Sequence, residues 1–232
     1  MSWVETAKRA AVNRALQEIQ GARVISIGSG STLELLVLEL VKIPEEKIRE
    51  LRLIPTSHQI EAAMTKAGLD FVSPNQVSEI DLALDGADQV ASRTLDLIKG
   101  GGAAMLREKV VAAAAKRLVV IVDERKLSSK LGIGQAVPVE VLPFASRFVM
   151  KRLEALDGKP SLRYGKMKAG PVVTDNSNFV IDVDFGPIED PSRLESQLKS
   201  VPGLIETGLF LNMTDRVLVG RADGTVQVLE PA

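Results

Sequence analysis

The scarcest residues in this chain of 232 amino acids are those that carry thiol, redox and metal chemistry. There is no cysteine, which excludes disulfides, thiol nucleophiles, zinc–thiolate sites and iron–sulfur clusters. The single histidine, His58, excludes a histidine-rich metal site, and a Ser-His-Asp triad would have to use it. The sequence favours His58 as a packing or surface residue. If the protein moves protons, carboxylates and lysines are the carriers that remain.

Long apolar runs and an excess of charge of one sign are also missing. No segment approaches the roughly 18 apolar residues that a membrane span needs. The first 20 residues are charged throughout, unlike a signal peptide. Lys and Arg number 29 against 30 for Asp and Glu, a balance that indicates no nucleic-acid partner and no membrane partner. We therefore expect a cytoplasmic protein.

What the chain does contain is a repeated succession of strand, loop and helix. Apolar strands are predicted within 22–28, 51–57, 80–88, 95–105 and 117–124, and the last part of 95–105 is a glycine turn and a helix start. The segments that end them are GSGST, PTS, DGAD, KGGG and DERK. Continuous apolar runs predict a parallel sheet with both faces covered, and so an α/β fold. Because ligands bind beyond the carboxyl ends of such strands, we expect these five segments to meet at one edge.

The pattern changes after about Leu131. Beyond it the sequence predicts a helix, a hairpin around TDNSN, a capped helix and a final hairpin, at 146–157, 171–185, 190–201 and 209–230. We predict a larger domain formed by 1–131 together with 208–232. A smaller α+β domain is predicted at 132–207.

The GSGST segment (28–32) joins a strand to a helix. Glycines allow a tight turn, and hydroxyl groups and a helix N-terminus favour an anion, so the segment can form a phosphate cradle. Leu33 stands where the dinucleotide fingerprint needs a third glycine, which disfavours a nicotinamide or flavin site. A plain tight turn, with the helix capped by Ser31 or Thr32, is the alternative.

The DGAD segment places Asp85 and Asp88 three residues apart. Two crowded carboxylates at a sheet edge repel each other, an arrangement that tunes acids for proton transfer. The alternatives are a solvated turn and a magnesium site that would include Asp81 or Asp96.

The KGGG segment places Lys99 beside three consecutive glycines. Such a row weakens regular structure, and its N–H groups suit a developing oxyanion. Glu108, in the helix that follows, is a candidate general base, and a solvated charged face is the alternative. Lys126 of DERK could reach an anion at the sheet edge, although a solvated lysine is as compatible with the sequence.

Together these segments suit proton transfer on a small phosphorylated carbonyl compound. An aldose–ketose isomerisation needs one base, electrophiles for the enediolate and a grip on the phosphate. Each of these has a candidate in the chain.

The same segments occur in an order and spacing that resemble a known family. GSGST, DGAD, KGGGAAMLREK, VDERK, PVEVLPFA, KAGPVVTDNSN and PGLIETGLF resemble ribose-5-phosphate isomerase of the A type, from about Lys8 to the C-terminus. The resemblance implies a Rossmann-like large domain, a ferredoxin-like small domain and a homodimer or homotetramer. It implies reversible isomerisation of D-ribose 5-phosphate and D-ribulose 5-phosphate in the non-oxidative pentose phosphate pathway, with no cofactor and no metal.

The resemblance also implies roles for individual residues. Glu108 would move the proton between carbons 1 and 2, Asp85 would shuttle protons on the substrate oxygens, and Asp88 would assist ring opening. Lys99 and the N–H groups of Gly100 to Gly102 would stabilise the enediolate. The residues implied to bind the sugar phosphate are Ser29, Gly30, Ser31, Thr32, Gly86, Ala87, Gly100, Gly101, Gly102, Lys126 and Lys8.

The sequence departs from the family pattern at Gln89, and it is also compatible with two rival functions. Gln89 stands where the family usually has an acid, and its effect on the neighbouring aspartates is open. One rival is a coenzyme A transferase with Glu108 as nucleophile. The other is a non-catalytic sugar-phosphate sensor, which would need an output module that we do not expect in this sequence.

Overall fold

The structure, a computed structural model, describes residues 2–231. In these residues helices α1 to α7 span Trp3–Ala15, Ser31–Leu40, Glu45–Arg49, His58–Ala67, Met105–Ala114, Ser146–Glu154 and Pro191–Lys199. Strands β1 to β14 span Val24–Ile27, Arg52–Pro55, Leu82–Asp85, Gln89–Ala91, Leu97–Ile98, Leu118–Asp123, Leu127–Ser128, Val137–Val141, Lys159–Leu162, Phe179–Asp184, Leu204–Thr207, Leu209–Phe210, Arg216–Gly220 and Val226–Leu229. None of these helices has the length and apolar character that crossing a bilayer requires.

The chain divides into two compact units. The first comprises the described parts of 1–87, 107–127 and 213–232, and the second comprises 88–106 and 128–212. The sequence prediction placed 88–106, 128–131 and 208–212 in the larger domain, so the two divisions differ in these three segments.

The first unit is built on a six-stranded sheet in the order β14-β13-β6-β3-β1-β2. Five strands run parallel, and β14 is antiparallel to β13 as the second arm of the predicted C-terminal hairpin. All six residues of β6 are buried, as expected for an apolar strand covered on both faces. Helices α1, α2 and α4 supply apolar side chains to the core of this sheet. The α/β fold class is therefore confirmed.

Four of the five predicted segments follow strands of this sheet. GSGST follows β1, PTS overlaps the end of β2, DGAD begins at the last residue of β3, and DERK begins at the last residue of β6. These four strands pair in parallel register, so their carboxyl ends lie at the same edge.

The expectation that KGGG ends a strand of this same parallel sheet is wrong. The preceding strand β5 has only two residues and lies in a separate sheet, antiparallel to β4 and β12. A short apolar run has the same composition in either setting, so only its hydrogen-bonding partners distinguish the two. These pairings place Lys99 to Gly102 in the second unit.

The second unit contains an antiparallel sheet in the order β11-β8-β10-β9 with helices α6 and α7. In chain order the elements are β8, α6, β9, β10, α7 and β11, which is the ferredoxin-like arrangement that the resemblance implied. Side chains from the strands and both helices form its apolar core. The predicted TDNSN hairpin is only partly present, because 171–178 forms isolated bridges instead of a strand.

Candidate active site

The loop between β1 and α2 is joined to the loop between β2 and α4. The Ser29 hydroxyl lies 3.1 Å from the Thr56 hydroxyl and donates to the Ser57 hydroxyl at 2.8 Å. The Gly30 N–H donates to Gln59 Oε1 at 3.1 Å. These contacts bring the first turns of two helices together around Ser29.

The first turn of α2 is open for an anion. Its N-cap is Gly30 and has no side-chain cap, so the expected cap by Ser31 or Thr32 is wrong. The N–H groups of Ser31 and Thr32 belong to the first turn, where a helix supplies no acceptor. Partial positive charge at such a turn favours a phosphate.

Lys8 places a positive charge beside the first turn of α2. Its ammonium donates to the Ser31 hydroxyl at 2.8 Å from helix α1. Both residues line a groove of about 430 Å³ in the first unit, together with Arg9 and Glu34. Lys8 of α1 and Ser31 of α2, both predicted phosphate residues, therefore lie on one concave surface.

Asp85 is the last residue of β3 and is buried, with 4% of its surface exposed. Its Oδ1 accepts the Gly86 N–H at 2.7 Å. A Cβ atom at Gly28 would lie only 1.8 Å from that same oxygen. Gly28 is therefore needed to leave room for the Asp85 carboxylate, a requirement that the turn geometry alone did not reveal.

Glu108 lies in the first turn of α5 and is 5% exposed. Its Oε1 accepts the Ser29 N–H at 3.2 Å, across 79 residues of sequence. The alternative of a solvated charged face is therefore wrong. The structure ties the candidate base directly to the GSGST loop.

The charged groups of DERK are not equivalent. Burial acts to raise the pKa of Asp123, but hydrogen bonds and charge from Arg125 outweigh it and lower that pKa. Arg125 also stacks over the Trp3 ring, 5.4 Å from its centroid. Lys126 is half-buried, and its ammonium has no hydrogen bond or ion pair to residues within 2–231. Of the two cations of DERK, Lys126 is therefore the one that can bind an anion.

Asp88 and the KGGG residues, also predicted for the site, lie in the second unit. The Gly101 N–H donates to Asp88 Oδ2 at 2.7 Å, and a Cβ atom at Gly101 would lie 2.6 Å from Asp88 Oδ1. Lys99 is 4% exposed, and its ammonium lies 5.4 Å from the Phe210 ring centroid. The glycine row thus contacts the Asp88 carboxylate, and the buried Lys99 directly precedes the row.

The departure at Gln89 has a structural role. Its amide donates to the Ile133 carbonyl and accepts the Gly132 N–H, each at 2.8 Å. A carboxylate could accept the second bond but could not donate the first. Gln89 therefore holds residues 132–133 in place by two hydrogen bonds.

Asp81 and Asp96, named for the magnesium alternative, have backbone N–H partners. Asp81 accepts the N–H groups of Arg23 and Val24, both at 3.0 Å, and Asp96 accepts the Asn212 N–H. Within residues 2–231 there is no group of three or more His, Asp or Glu side chains that could hold a metal ion. His58 is exposed and contacts Glu61, as expected for a surface residue.

Sequence reasoning missed four side chains that contact the predicted loops, namely Thr56, Ser57, Gln59 and Arg163. The first two belong to PTS, so the polar end of β2 was a usable signal. Nothing in the local sequence distinguishes Arg163 from a solvated arginine.

Comparison with known proteins identifies the family. Residues 52–224 match the family described as Ribose 5-phosphate isomerase A (phosphoriboisomerase A). Curated relatives named Ribose-5-phosphate isomerase A include those of Prochlorococcus marinus (strain NATL2A), 44% identical with 96% of this chain and 95% of that protein covered, and of Methanosarcina acetivorans, 44% identical with 96% and 93% covered.

Solved structures agree with the sequence relatives. Ribose 5-phosphate isomerase A from Methanocaldococcus jannaschii has a TM-score of 0.90 at 39% identity, covering 97% of this chain and 99% of that one. A D-ribose-5-phosphate isomerase in complex with phospho-erythronic acid has a TM-score of 0.91 at 39% identity, covering 98% and 99%. This chain belongs to the ribose-5-phosphate isomerase A family.

Proposed function

We propose that this chain interconverts D-ribose 5-phosphate and D-ribulose 5-phosphate through an enediolate, with Glu108 as the base. The observation that carries the proposal is the buried Glu108 carboxylate held by the N–H of Ser29, inside the loop that forms the phosphate cradle. The relative in complex with phospho-erythronic acid, a four-carbon phosphorylated acid, supports a ligand of this class. Membership of an isomerase family argues against both rival functions.

The phosphate is held by the first turn of α2. The N–H groups and hydroxyls of Ser31 and Thr32 donate to its oxygens, and Ser29 and Gly30 shape the loop. Lys8 and Lys126 supply positive charge. Anchoring the phosphate places carbons 1 and 2 of the open-chain sugar at the reacting carboxylates.

Glu108 removes the proton from carbon 2 of the aldose. The electrons of the broken C–H bond form the enediolate double bond, and the carbonyl oxygen at carbon 1 takes up negative charge. Glu108 then returns the proton to carbon 1, which gives the ketose. The Ser29 N–H fixes one carboxylate oxygen and so orients the other for this transfer.

The other carboxylates and the lysine complete the reaction. Asp85 moves a proton between the two substrate oxygens, and Asp88 assists ring opening. The Lys99 ammonium and the Gly102 N–H stabilise the oxyanion, while the Gly101 N–H holds Asp88. Gly86, Ala87 and Gly100 contribute backbone to the binding surface. No step uses a cofactor or a metal ion.

Replacing the proposed base tests the assignment. We expect Glu108→Gln to lower kcat by roughly 10²- to 10⁴-fold, the usual contribution of a general base, because the amide keeps the shape but cannot take a proton. The KM for ribose 5-phosphate should change little. Both are measured by following ribulose 5-phosphate formation, and exchange of the carbon-2 proton with solvent should stop as well.

The matched control is Glu46→Gln, at an exposed glutamate of α3, which should behave as wild type. A Glu108→Gln protein with nearly normal turnover would contradict the assignment.

Assembly as a homodimer or homotetramer and a cytoplasmic location stay predictions.

A further inference from the structure

The Arg163 side chain connects the KGGG loop to the antiparallel sheet of the second unit. Arg163 directly follows β9, and 17% of its side chain is exposed. Its Nη1 donates to the carbonyl oxygens of Gly100 at 2.9 Å and Gly101 at 3.0 Å. Its Nε donates to Asp182 Oδ2 at 2.8 Å, and its Nη2 donates to Asp182 Oδ1. The planar guanidinium is thus anchored by a bidentate carboxylate on β10 while it holds two successive carbonyls.

These two carbonyl contacts determine where the neighbouring N–H groups point. In a planar trans peptide the C=O of one residue and the N–H of the next point in opposite directions. With the Gly100 carbonyl turned to Arg163, the Gly101 N–H must face away, and it is found on Asp88 Oδ2. With the Gly101 carbonyl turned to the same guanidinium, the Gly102 N–H must also face away from Arg163. We call these two N–H groups, both directed away from one cation, the nest, because successive backbone N–H groups can receive anions.

The three glycines can adopt these peptide orientations, but glycine alone does not hold them in one orientation. Three glycines have the most backbone freedom to lose, so the loop needs an external contact to hold one set of peptide planes. The Arg163 guanidinium is a side-chain donor that reaches both carbonyls, and the Gly100 carbonyl also accepts the Ala103 N–H at 3.0 Å. The positive charge also polarises the two peptide groups, which strengthens their N–H groups as donors.

We propose that Arg163, anchored by Asp182, is a positioning residue for the isomerisation. It holds the Gly100–Gly102 peptide planes so that the Gly101 N–H orients Asp88 and the Gly102 N–H meets the enediolate oxygen. The inference rests on the proposed function, because it assigns that N–H to the oxyanion. Arg163 touches no reacting atom in this account and acts only through the loop.

The test separates orientation of the nest from general stability. We expect Arg163→Met to lower kcat about 10- to 100-fold, somewhat less than the loss of a complete oxyanion donor, with the KM for ribose 5-phosphate changed less than about threefold. Binding of a four-carbon phosphorylated hydroxamate, a planar mimic of the enediolate, should weaken in parallel with kcat/KM. Binding of ribitol 5-phosphate, which has the phosphate but no carbonyl, should not change.

Two further variants calibrate this result. Arg163→Lys keeps the charge but offers a single ammonium in place of the planar fork, so kcat should recover only in part. Lys199→Met removes another ion pair of the same unit, the one with the largely buried Glu206. This control should lower the melting temperature and leave kcat and hydroxamate binding unchanged.

Either of two results would overturn the proposal. One is a folded Arg163→Met protein with kcat within twofold of wild type, and the other is an equal loss of affinity for the hydroxamate and ribitol 5-phosphate. If Arg163→Met does not fold, the test uses Asp182→Asn and Arg163→Lys instead. The same ratio of affinities, for the hydroxamate against ribitol 5-phosphate, then decides the outcome. An inactive Glu108→Gln alongside a normal Arg163 series would reject this inference alone, whereas an active Glu108→Gln would reject the proposed function.

Discussion

At the scale of single residues, two glycines of the predicted motifs are required because a carboxylate lies where a side chain would begin. Gly28 leaves space for Asp85, and Gly101 for Asp88. In both cases an added Cβ atom would lie closer to the carboxylate than atoms in contact can approach. The spacing of GSGST and KGGG predicted backbone turns, but the aspartates that need the space could be identified only after folding.

Replacing Gly28 therefore tests the position of the Asp85 carboxylate. We expect Gly28→Ala to lower the free energy of unfolding by about 1–3 kcal/mol, the usual effect of overpacking, and to reduce kcat at least as strongly as Asp85→Asn. Denaturant unfolding and the isomerase assay measure the two effects.

Two variants control this experiment. Gly28→Ala/Asp85→Ala removes the two closest clashing atoms and leaves only the Cβ atom of residue 85 at 2.8 Å, so stability should recover in part while activity stays lost. Gly68→Ala places a side chain at a left-handed helix end with open space around it, and should cost about 1 kcal/mol of stability without loss of kcat. Normal turnover in Gly28→Ala would show that Asp85 is not needed where it lies.

At the scale of elements, hydrogen bonds join the start of α2 to the start of α4. Ser57 is the N-cap of α4, where it accepts the Ile60 N–H at 3.4 Å, and it also accepts the Ser29 hydroxyl. The same hydroxyl therefore stabilises one helix and fixes the loop that begins the other.

Removing this hydroxyl should affect both stability and binding. We expect Ser57→Ala to lower the free energy of unfolding by about 1 kcal/mol through the lost cap and to raise the KM for ribose 5-phosphate roughly 3- to 10-fold, because the Ser29 loop loses a hydrogen bond. The kcat should change much less.

The control removes a cap that has no link to the loop. Asp190 caps α7 in the second unit, accepting the Arg193 N–H at 2.9 Å. Asp190→Ala should lose similar stability with an unchanged KM. Equal KM values in the two variants would contradict a role for Ser57 in the phosphate loop.

The same scale shows where local sequence is ambiguous. The apolar run before KGGG and the run before DGAD look alike, yet β3 lies in the parallel sheet while β5 pairs with β4 and β12. Periodicity reports which side chains are buried and carries no information about which strand donates the next hydrogen bond. Strands of two or three residues are therefore the elements that sequence assigns least well.

At the scale of the whole molecule, buried or bridging carboxylates make stability depend on pH. Hydrogen bonds from the N–H groups of Arg23 and Val24, together with the Lys116 ammonium, lower the pKa of Asp81 to about 2. Asp81 thereby ties the start of β1 to the start of β3, at the opposite end of the strands from the candidate site.

The sign of the effect follows from this lowered pKa. An aspartate that is more acidic folded than unfolded stabilises the fold above its ordinary pKa of about 4, and this stabilisation is lost as the pH falls to about 2. We expect Asp81→Asn to be about 1–2 kcal/mol less stable than wild type near pH 7, after allowing for its partial exposure. The difference should shrink between pH 4 and pH 2.

Unfolding in denaturant at several pH values measures this difference. Asp70→Asn, at an exposed aspartate, should leave the curve unchanged, and both variants should keep wild-type kcat because neither residue belongs to the candidate site. A stability difference for Asp81→Asn that is constant from pH 7 to pH 2 would contradict the ionic origin of its effect.

The sequence by itself determined the fold class and the family and supplied most of the residues proposed for the site, because continuous apolar strands and glycine-rich strand ends are local patterns with few structural solutions. Tertiary structure alone decided which groups meet. Ser29 reaches Glu108 across 79 residues, and Arg163 reaches the KGGG carbonyls across more than 60. Such contacts depend on which strands pair and on where their connecting loops close, and neither is encoded in the residues on either side of Arg163.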